Sequence, residues 1–352
     1  MIEQRSIALI KQSYPEAEIM VYHRNLPMND LLQDINQCRF IVMAGGPFFQ
    51  ENTYPTAVPL VEELSEIVPP IYSLGLGWKG HYEAEIYTTY KFGRKMKELI
   101  SRMEEKAPIS CRDWYTMRVL KENGYQNCIM TGCPAWYCLG KLNGEQEKEN
   151  YKDVICISDA AYSKNLPYVI DLVEVIRKQY TQSSIVYVIH RDKKGDSNIE
   201  REHNKLLEYV ETELQERGVE IVCIANSEEG FSIYNNCKLH IGFRVHAHIY
   251  NLSRGNRSIL INEDARGMGV NHALGIENIE IPTISVIAEN RTKRLRIGMM
   301  PKEQHFLFQK KVSYYLEMNE LAGEFIYKRA WESIEYYYKA MDGYIKSWDN
   351  NK

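Results

Sequence analysis

The residues best suited to chemistry lie in the stretch GFRVHAHIYNL, which begins at Gly242. A strand-like run ends there, and Arg244 and His246 follow where a helix is predicted to begin. An arginine can contact a carboxylate or a phosphate through two parallel hydrogen bonds, and the start of a helix favours negative charge. An imidazole titrates near neutral pH and can hold or donate a proton. The spacing therefore predicts an anion site that includes Arg244 and His246, whereas His248 is interpreted as a hydrogen-bonded core residue.

Glycine pairs follow two other apolar, strand-like runs. They are Gly45 and Gly46 in VMAGGPFFQE, and Gly75 and Gly77 in YSLGLGWKG. Glycine permits a positive φ and a close approach of the backbone, so each pair suits either a bound substrate or a tight turn. The second pair does not match the dinucleotide-binding fingerprint, because the third glycine of that motif is misplaced.

Charged residues follow two more strands. In SCRDWYT, Arg112 and Asp113 either bind substrate or form a helix cap with its ion-pair partner. In IVYVIHRDKKG, His190 either faces a substrate or opens a solvated charged run that continues through Arg191 and Asp192. Both interpretations stay open for each segment.

Two acidic residues and an arginine end a further strand, in LINEDARG. Paired carboxylates can orient a hydroxylated substrate or act as a base, and a carboxylate at the start of a helix can also cap it. Glu263, Asp264 and Arg266 are therefore candidates for substrate binding or for a cap.

Strand-like and helix-like segments alternate along the chain, and these candidate residues stand at the ends of the strands. Such alternation predicts βαβ units with mostly parallel sheets. A polar segment, residues 140–153, separates two halves with the same pattern. The sequence thus predicts an α/β fold of two doubly wound Rossmann-like domains, residues 1–145 and 151–302, and a C-terminal helical segment, residues 303–352. Parallel sheets bind ligands beyond the carboxyl ends of their strands, so the predicted site is a cleft across which the two domains face each other.

Composition bounds the class of protein. With 44% hydrophobic and 26% charged residues, the 352-residue chain is expected to be globular and large enough for two domains. Its formal net charge of −4 gives no general attraction to nucleic acid or to an anionic bilayer. No apolar run reaches the roughly 20 residues that cross a bilayer, and the charged first residues do not form a signal peptide. We therefore expect a cytoplasmic protein without a membrane span. The eight cysteines lack the spacing of a zinc site and are expected to be reduced, with no bound metal.

Six segments, taken in order, resemble the successive motifs of the polysaccharide pyruvyl transferase family. They are VMAGGPFFQ, YSLGLG, ISCRDWYTMRVLKENGY, TGCPAWY, GFRVHAHIYNLSRG and SILINEDAR. The resemblance spans about residues 35 to 280. It implies an architecture similar to the two-domain glycosyltransferase B fold, and transfer of an enolpyruvyl-derived group from phosphoenolpyruvate to sugar hydroxyls as a ketal.

The resemblance also implies roles for individual residues. An Arg-x-His motif is associated with the phosphoenolpyruvate site in this family, and here it matches Arg244 and His246. Arg244 is then the expected clamp for the donor anion, and His246 either the general acid or a phosphate-positioning group. Arg112, on the facing domain, would supply a second cation.

The chain departs from the family pattern at two places. Family members usually begin with a strand that leads to an Asn-x-Gly-Asp turn, whereas this chain is predicted to start in a helix. After this first helix, the sequence pattern predicts a strand over residues 18–23 and, further along the chain, a helix over residues 54–67. Where the family often has Asp-Pro-Ala, this chain has Cys133 before Pro134 and Ala135, which removes a carboxylate from the expected site.

The expected partners are phosphoenolpyruvate as donor substrate, with no cofactor, and a lipid-linked or nucleotide-linked sugar as acceptor in the synthesis of cell-surface polysaccharide. A missing strand would leave backbone groups unpaired, so the chain has two alternatives, a homodimer or a rearranged sheet. Two alternatives stay open. One is a sugar-nucleotide-dependent glycosyltransferase of the same architecture, and the other is a non-catalytic glycan-binding relative.

Overall fold

The computed structural model describes residues 1–80, 86–145, 152–191, 198–225, 227, 229–281 and 302–351. The α-helices of this part are α1 (Ile2–Ser13), α2 (Leu32–Gln37), α3 (Ile86–Thr89), α4 (Arg94–Glu104), α5 (Trp114–Glu122), α6 (Leu139–Leu142), α7 (Pro167–Gln179), α8 (Asn198–Glu216), α9 (Val245–Leu252), α10 (Ala265–Leu274) and α11 (Lys302–Lys346). The strands are β1 (Ile41–Ala44), β2 (Pro47–Phe49), β3 (Ile71–Leu74), β4 (Gly77–Trp78), β5 (Ile109–Cys111), β6 (Cys128–Met130), β7 (Lys152–Ser158), β8 (Ser184–Ile189), β9 (Glu220–Cys223), β10 (Cys237–Gly242), β11 (Ser258–Asn262) and β12 (Ile279–Glu280).

This order confirms the predicted α/β fold with a C-terminal helix, but two predicted elements are wrong. Residues 18–23 form no strand, and Met20 and Val21 remain half exposed. Hydrophobic alternation alone does not make a strand, because its backbone also needs a neighbouring strand. Residues 54–67 form no continuous α-helix but only a π-helical turn, Thr53–Ala57, and a 3-10 turn, Leu64–Glu66, since Pro59 removes a backbone donor from what would be the helix interior.

The chain forms two compact units. The first combines Met1–Glu145 with Asp264–Ile276 and Trp331–Lys352, and the second combines Gln146–Glu263 with Glu277–Ala330. The predicted division was sequential, whereas here two later segments return to the first unit. Residues 146–151 of the predicted linker lie outside the described part of the chain.

The first unit contains short parallel strand pairs. β1 pairs with β3, β5 pairs with β6, and β2 pairs with β4. Serine side chains extend the bonding between β3 and β5: Ser73 Oγ accepts the N–H of Ser110 at 2.8 Å, and Ser110 Oγ accepts the N–H of Gly75 at 2.8 Å. All three residues are buried, so these bonds fix the carboxyl ends of the two strands relative to each other.

Aromatic rings from the end of the chain complete the core of the first unit. Trp348 is buried and stacks on Tyr72, with ring centroids 4.7 Å apart. It also meets Phe40 edge-on at 5.2 Å. The residues after α11 therefore belong to the same core as β1 and β3.

The second unit is built on a six-stranded parallel sheet with the order β12-β11-β10-β7-β8-β9. The first strand of the unit lies in the middle, which is the doubly wound order of nucleotide-binding α/β proteins. Ile155 and Ile157 of β7 lie in a hydrophobic core of this unit together with Phe308 and Val312 of α11. The sheet thus holds the carboxyl ends of six strands at one edge.

None of the helices in the described part of the chain combines the length and the apolar character that crossing a bilayer requires.

Candidate functional site

The strand order of the second unit reverses between β7 and β10. In open parallel sheets the loops leave such a reversal in opposite directions, and the crevice between them is where ligands bind. Gly242 ends β10 so close to β7 that an added Cβ would lie 2.5 Å from Ser158 Oγ. Asp159 leaves β7 at this point, and Arg244 leaves β10 beside it.

Arg244 is held by Asp159 through two bonds. Its Nε donates to Asp159 Oδ1 at 2.7 Å, and its Nη2 donates to Oδ2. The two side chains are only 11% and 5% exposed. Burial acts to lower the pKa of Arg244, but the hydrogen bonds and charge of Asp159 outweigh it, and the pKa is raised. The guanidinium of Arg244, which is predicted to clamp an anion, therefore lies at the strand-order reversal. It is already bound to the carboxylate of Asp159.

His246 lies on the first turn of α9 and is exposed. The N-cap of this helix is Arg244, which makes no side-chain capping bond, and the N–H of His248 donates to the carbonyl of Arg244 at 3.0 Å. The first N–H groups of a helix have no intrahelical acceptor and favour an anion. Helix start, guanidinium and imidazole thus lie within three residues of one another along the chain. His248 is fully buried with Nδ1 2.7 Å from Ser258 Oγ, which confirms its interpretation as a core residue.

Glu263 ends β11 and turns toward the loop after β7. Its carboxylate accepts the backbone N–H groups of Ala161 at 2.9 Å and Tyr162 at 3.2 Å. It also accepts the amide of Asn165 at 2.8 Å. Burial raises the pKa of Glu263, although these hydrogen bonds act in the opposite direction. The contacts tie the loop after β7 to the end of β11.

His190 ends β8 as an internal residue and not as part of a solvated run. The ring of His190 packs on Phe231 and Tyr234, and its Nε2 lies 2.7 Å from Tyr234 Oη. The backbone N–H of His190 donates to Asp159 Oδ1 at 3.1 Å. Burial lowers the pKa of His190 to about 4, so the ring is neutral at pH 7. The neighbouring candidate Asp192 lies outside the described residues.

In the first unit, Asp113 caps α5 and Arg112 forms an ion pair with Asp113. Asp113 Oδ1 accepts both the N–H and the hydroxyl of Thr116 at 2.8 Å, which caps α5. Arg112 Nε donates to Asp113 Oδ2 at 2.9 Å, and its Nη2 donates to the carbonyl of Trp78 at 3.0 Å. A Cβ at Gly77 would overlap the guanidinium. Both residues are buried, and every contact described here is structural.

The other glycines also meet their own chain. Gly75 has φ +63°, and a Cβ there would overlap the carbonyl of Gly132. A Cβ at Gly45 would lie 2.5 Å from the side chain of Ile2. Gly46, with φ +74°, has nothing within 4 Å of such a Cβ. Tight packing therefore accounts for Gly75 and Gly45, and Gly46 has open space beside it.

Asp264 and Arg266 open α10 in the first unit. Asp264 Oδ1 accepts the N–H of Arg266 at 3.0 Å, and the guanidinium of Arg266 grips the same carboxylate, with Nη2 2.6 Å from Oδ2. Burial acts to raise the pKa of Asp264, but Arg266 outweighs it and leaves the pKa below its usual range. These two residues form a helix cap.

The predicted residues therefore fall into two groups. Arg244, His246, His190 and Glu263 belong to the second unit, and the others belong to the first. Two residues of the second unit were missed. Asp159 could have been found, because it ends a strand just as Arg244 does. Asn262 also stands at a strand end, but only the structure shows that it is 2% exposed and that neither amide atom has a hydrogen-bond partner among the described residues.

Comparison with known proteins supplies the family and the fold. The family model "Polysaccharide pyruvyl transferase" matches residues 4–253, which confirms the resemblance to this family, although the last of the six motifs, SILINEDAR, lies beyond the matched residues. No curated protein sequence matches the chain.

Among solved structures, the chain is similar to MnaA of S. aureus in a co-structure with UDP, with a TM-score of 0.57 and 9% identity, over 100% of this chain and 95% of that one. It is also similar to a UDP-GlcNAc 2-epimerase from Neisseria meningitidis bound to UDP-GlcNAc, with a TM-score of 0.46 and 10% identity, over 96% and 89%. At these identities the likeness to MnaA shows a shared fold.

Proposed function

Because the family model matches residues 4–253, the chain belongs to the polysaccharide pyruvyl transferase family, and we propose that it transfers a pyruvyl group from phosphoenolpyruvate to a sugar as a ketal. The observation that carries this proposal is the position of Arg244 and His246. They lie together at the strand-order reversal of the second unit, at the start of α9.

The reaction places two demands on the site. One sugar hydroxyl adds to the central carbon of phosphoenolpyruvate while the methylene carbon takes a proton and becomes a methyl group. A second hydroxyl of the same sugar then displaces phosphate, which leaves with the oxygen that carried it. The net products are one ketal and one hydrogen phosphate. The site must therefore supply cationic side chains and N–H groups for the carboxylate and the phosphate of phosphoenolpyruvate. It must also place an acid near the methylene carbon.

Arg244 and His246 meet these demands in the proposal. The guanidinium suits bidentate contact with the donor carboxylate or phosphate, and the first turn of α9 adds N–H groups for the other anion. His246 is exposed on that turn, where it either protonates the methylene carbon or binds the phosphate. Arg112 stays a candidate for a second cation, and its guanidinium is bound by Asp113 and the carbonyl of Trp78 much as that of Arg244 is bound by Asp159.

The test is release of inorganic phosphate from phosphoenolpyruvate in the presence of a panel of lipid-linked and nucleotide-linked sugars. Arg244→Met should lower kcat/KM by at least about tenfold to a hundredfold, the range expected when a charge-assisted hydrogen bond is lost. His246→Asn should lower kcat. His23→Asn, a change at an exposed histidine of the first unit, should leave the rate unchanged. Wild-type rates in both site variants would overturn the proposal.

A sugar-nucleotide enzyme is the second candidate function. The observation that favours it is the shared fold with MnaA, whose structure contains UDP. The thermal midpoint of the wild-type protein separates the two functions, because a ligand that binds only the folded state raises it. Stabilisation by phosphoenolpyruvate supports pyruvyl transfer, whereas stabilisation by UDP alone supports the second candidate.

A further inference from the structure

The donors of Arg244 are partly occupied by the protein itself. Asp159 takes the Nε and Nη2 side of the guanidinium with both carboxylate oxygens. Its Oδ1 also accepts the N–H of His190 at 3.1 Å, so the carboxylate is fixed from two strands. Asp159 is 4% exposed, and the side chain of Arg244 beside it is 11% exposed. The pair is therefore a built feature of the strand-order reversal and not a surface contact.

The side of a guanidinium that presents two parallel N–H groups can bind only one carboxylate at a time, and on Arg244 this side is bound to Asp159. The two parallel bonds from Arg244 to Asp159 have the geometry that any carboxylate ligand would adopt there. A ligand that uses the same N–H groups must first replace Asp159. Asp159 also places a negative charge within hydrogen-bond distance of the position an anion would take, which lowers the affinity of the site for anions in general.

We propose that Asp159 sets the affinity and selectivity of Arg244, because an anionic ligand binds by exchanging its own carboxylate for that of Asp159. The identity of the ligand rests on the proposed function, but the exchange itself does not. A simple anion such as phosphate competes poorly with a carboxylate that is already positioned. A ligand with a carboxylate and a second anionic group gains a further contact, which offsets the loss of the internal pair. Asp159 is thus a specificity-determining residue and takes no part in bond making.

The test compares Asp159→Asn with Asp153→Asn. Asp153 lies at the opposite end of the same strand, is exposed, and pairs with Lys238 on β10 at 3.3 Å. Both variants lose one negative charge from β7, so the pair separates a local effect from a change in net charge. Binding of phosphoenolpyruvate and of inorganic phosphate would be measured by calorimetry at pH 7.5.

Asp159→Asn should bind inorganic phosphate and phosphoenolpyruvate about tenfold tighter or more, the change expected from about one charged hydrogen bond. The larger gain should be for phosphate, so the preference for phosphoenolpyruvate should shrink. Asp153→Asn should bind both like the wild type. If folded Asp159→Asn binds both anions no more tightly than the wild type, the exchange is wrong.

A second measurement uses the unmodified protein, in case loss of the buried carboxylate prevents folding. The Nε–H resonance of Arg244, assigned with Arg244→Lys, reports directly on the bond to Asp159. It should shift on saturation with phosphoenolpyruvate, and an unmoved resonance at saturation would overturn the exchange. Tighter phosphate binding by Asp159→Asn together with a shift of this resonance on saturation of the wild type with phosphate, and no phosphoenolpyruvate binding by either protein, would support the exchange and refute the proposed function.

Discussion

Asn262 is a buried amide at the end of β11 whose oxygen and nitrogen both lack partners among the described residues. A buried polar group without a hydrogen bond costs about 1–3 kcal/mol of folding free energy. We expect Asn262→Leu, which keeps the branch at Cγ and removes both unpaired polar atoms, to stabilise the protein by about 1 kcal/mol or more, as measured by urea denaturation.

Asn251 provides the matched control for this prediction. It is fully buried in α9, but its Nδ2 donates to the carbonyl of Ala247 at 2.9 Å. Asn251→Leu should therefore destabilise the protein. A similar loss of stability in both leucine variants would show that Asn262 has a partner in solution.

His190 gives the protein a pH-dependent stability. Its pKa in the folded state is about 4, below the ordinary value of about 6.5, because the ring is buried. The unfolded chain therefore takes up the proton first as the pH falls. The contribution to stability is complete above about pH 6.5, is lost as the pH falls toward 4, and is on the order of 3 kcal/mol.

Denaturation midpoints at pH 7.5 and pH 5 check this prediction. The loss of stability between them should be smaller in His190→Phe than in the wild type. His23→Gln, at an exposed histidine, should keep the full loss. An equal loss in all three proteins would contradict the prediction.

The rule that chemistry follows strand ends selected Arg244, Arg112 and Asp264 alike from the sequence. The rule fails to separate these cases because local sequence gives a position along the chain and not a contact. Asp113 and Arg266 lie next to their partners in sequence, so their ion pairs could have been inferred. The partner of Arg244 lies 85 residues away, and only the register of β7 and β10 brings it there.

At the scale of elements, the glycine turns after β1 and β3 should respond differently to alanine. Both Gly46 and Gly75 have positive φ, which costs a side chain about 1–2 kcal/mol. Gly46→Ala should cost about that much, because nothing lies within 4 Å of the new Cβ. Gly75→Ala should cost clearly more, since its Cβ would overlap the carbonyl of Gly132 and lie 2.7 Å from Pro134 Cδ.

Urea denaturation of the two variants measures this difference. A larger loss of stability in Gly46→Ala than in Gly75→Ala would argue against the close packing of Gly75 on Gly132 and Pro134. Turnover adds a second comparison, because a ligand that approaches the backbone at Gly46 would make Gly46→Ala lose activity without losing much stability.

Most helices and strands of the second unit were predictable, because its strands are continuous apolar runs with β-branched residues and its helices are long. The helix predicted over residues 54–67 was wrong because Pro59 interrupts it, although the apolar residues have helical spacing. Strand pairing follows from contacts that are distant in sequence, so the position of β7 in the middle of its sheet was visible only in the structure.

At the scale of the whole molecule, the segment Trp331–Lys352 should be as important to the first unit as its own strands. Trp348 is 3% exposed and packs on Tyr72, Phe40 and Tyr344. Removing a buried tryptophan costs about 3–5 kcal/mol. We expect Trp348→Ala to lose this much stability, as followed by circular dichroism during urea denaturation.

Phe325 is the control for this change. It lies on α11 in the second unit and is 71% exposed. Phe325→Ala should leave the denaturation midpoint within about 0.5 kcal/mol of the wild type. If the two alanine variants lose equal stability, Trp348 does not belong to the core of the first unit.

The stacking of Trp348 on Tyr72 also sets an order of events during synthesis. The two residues are 276 positions apart, and a ribosome that adds about 5–20 residues each second needs roughly 14 to 55 s to cover that distance. Every strand of the six-stranded sheet has been translated before the tryptophan appears. The part of the molecule that is made first is therefore finished last, and until then Tyr72 lacks the ring that covers it.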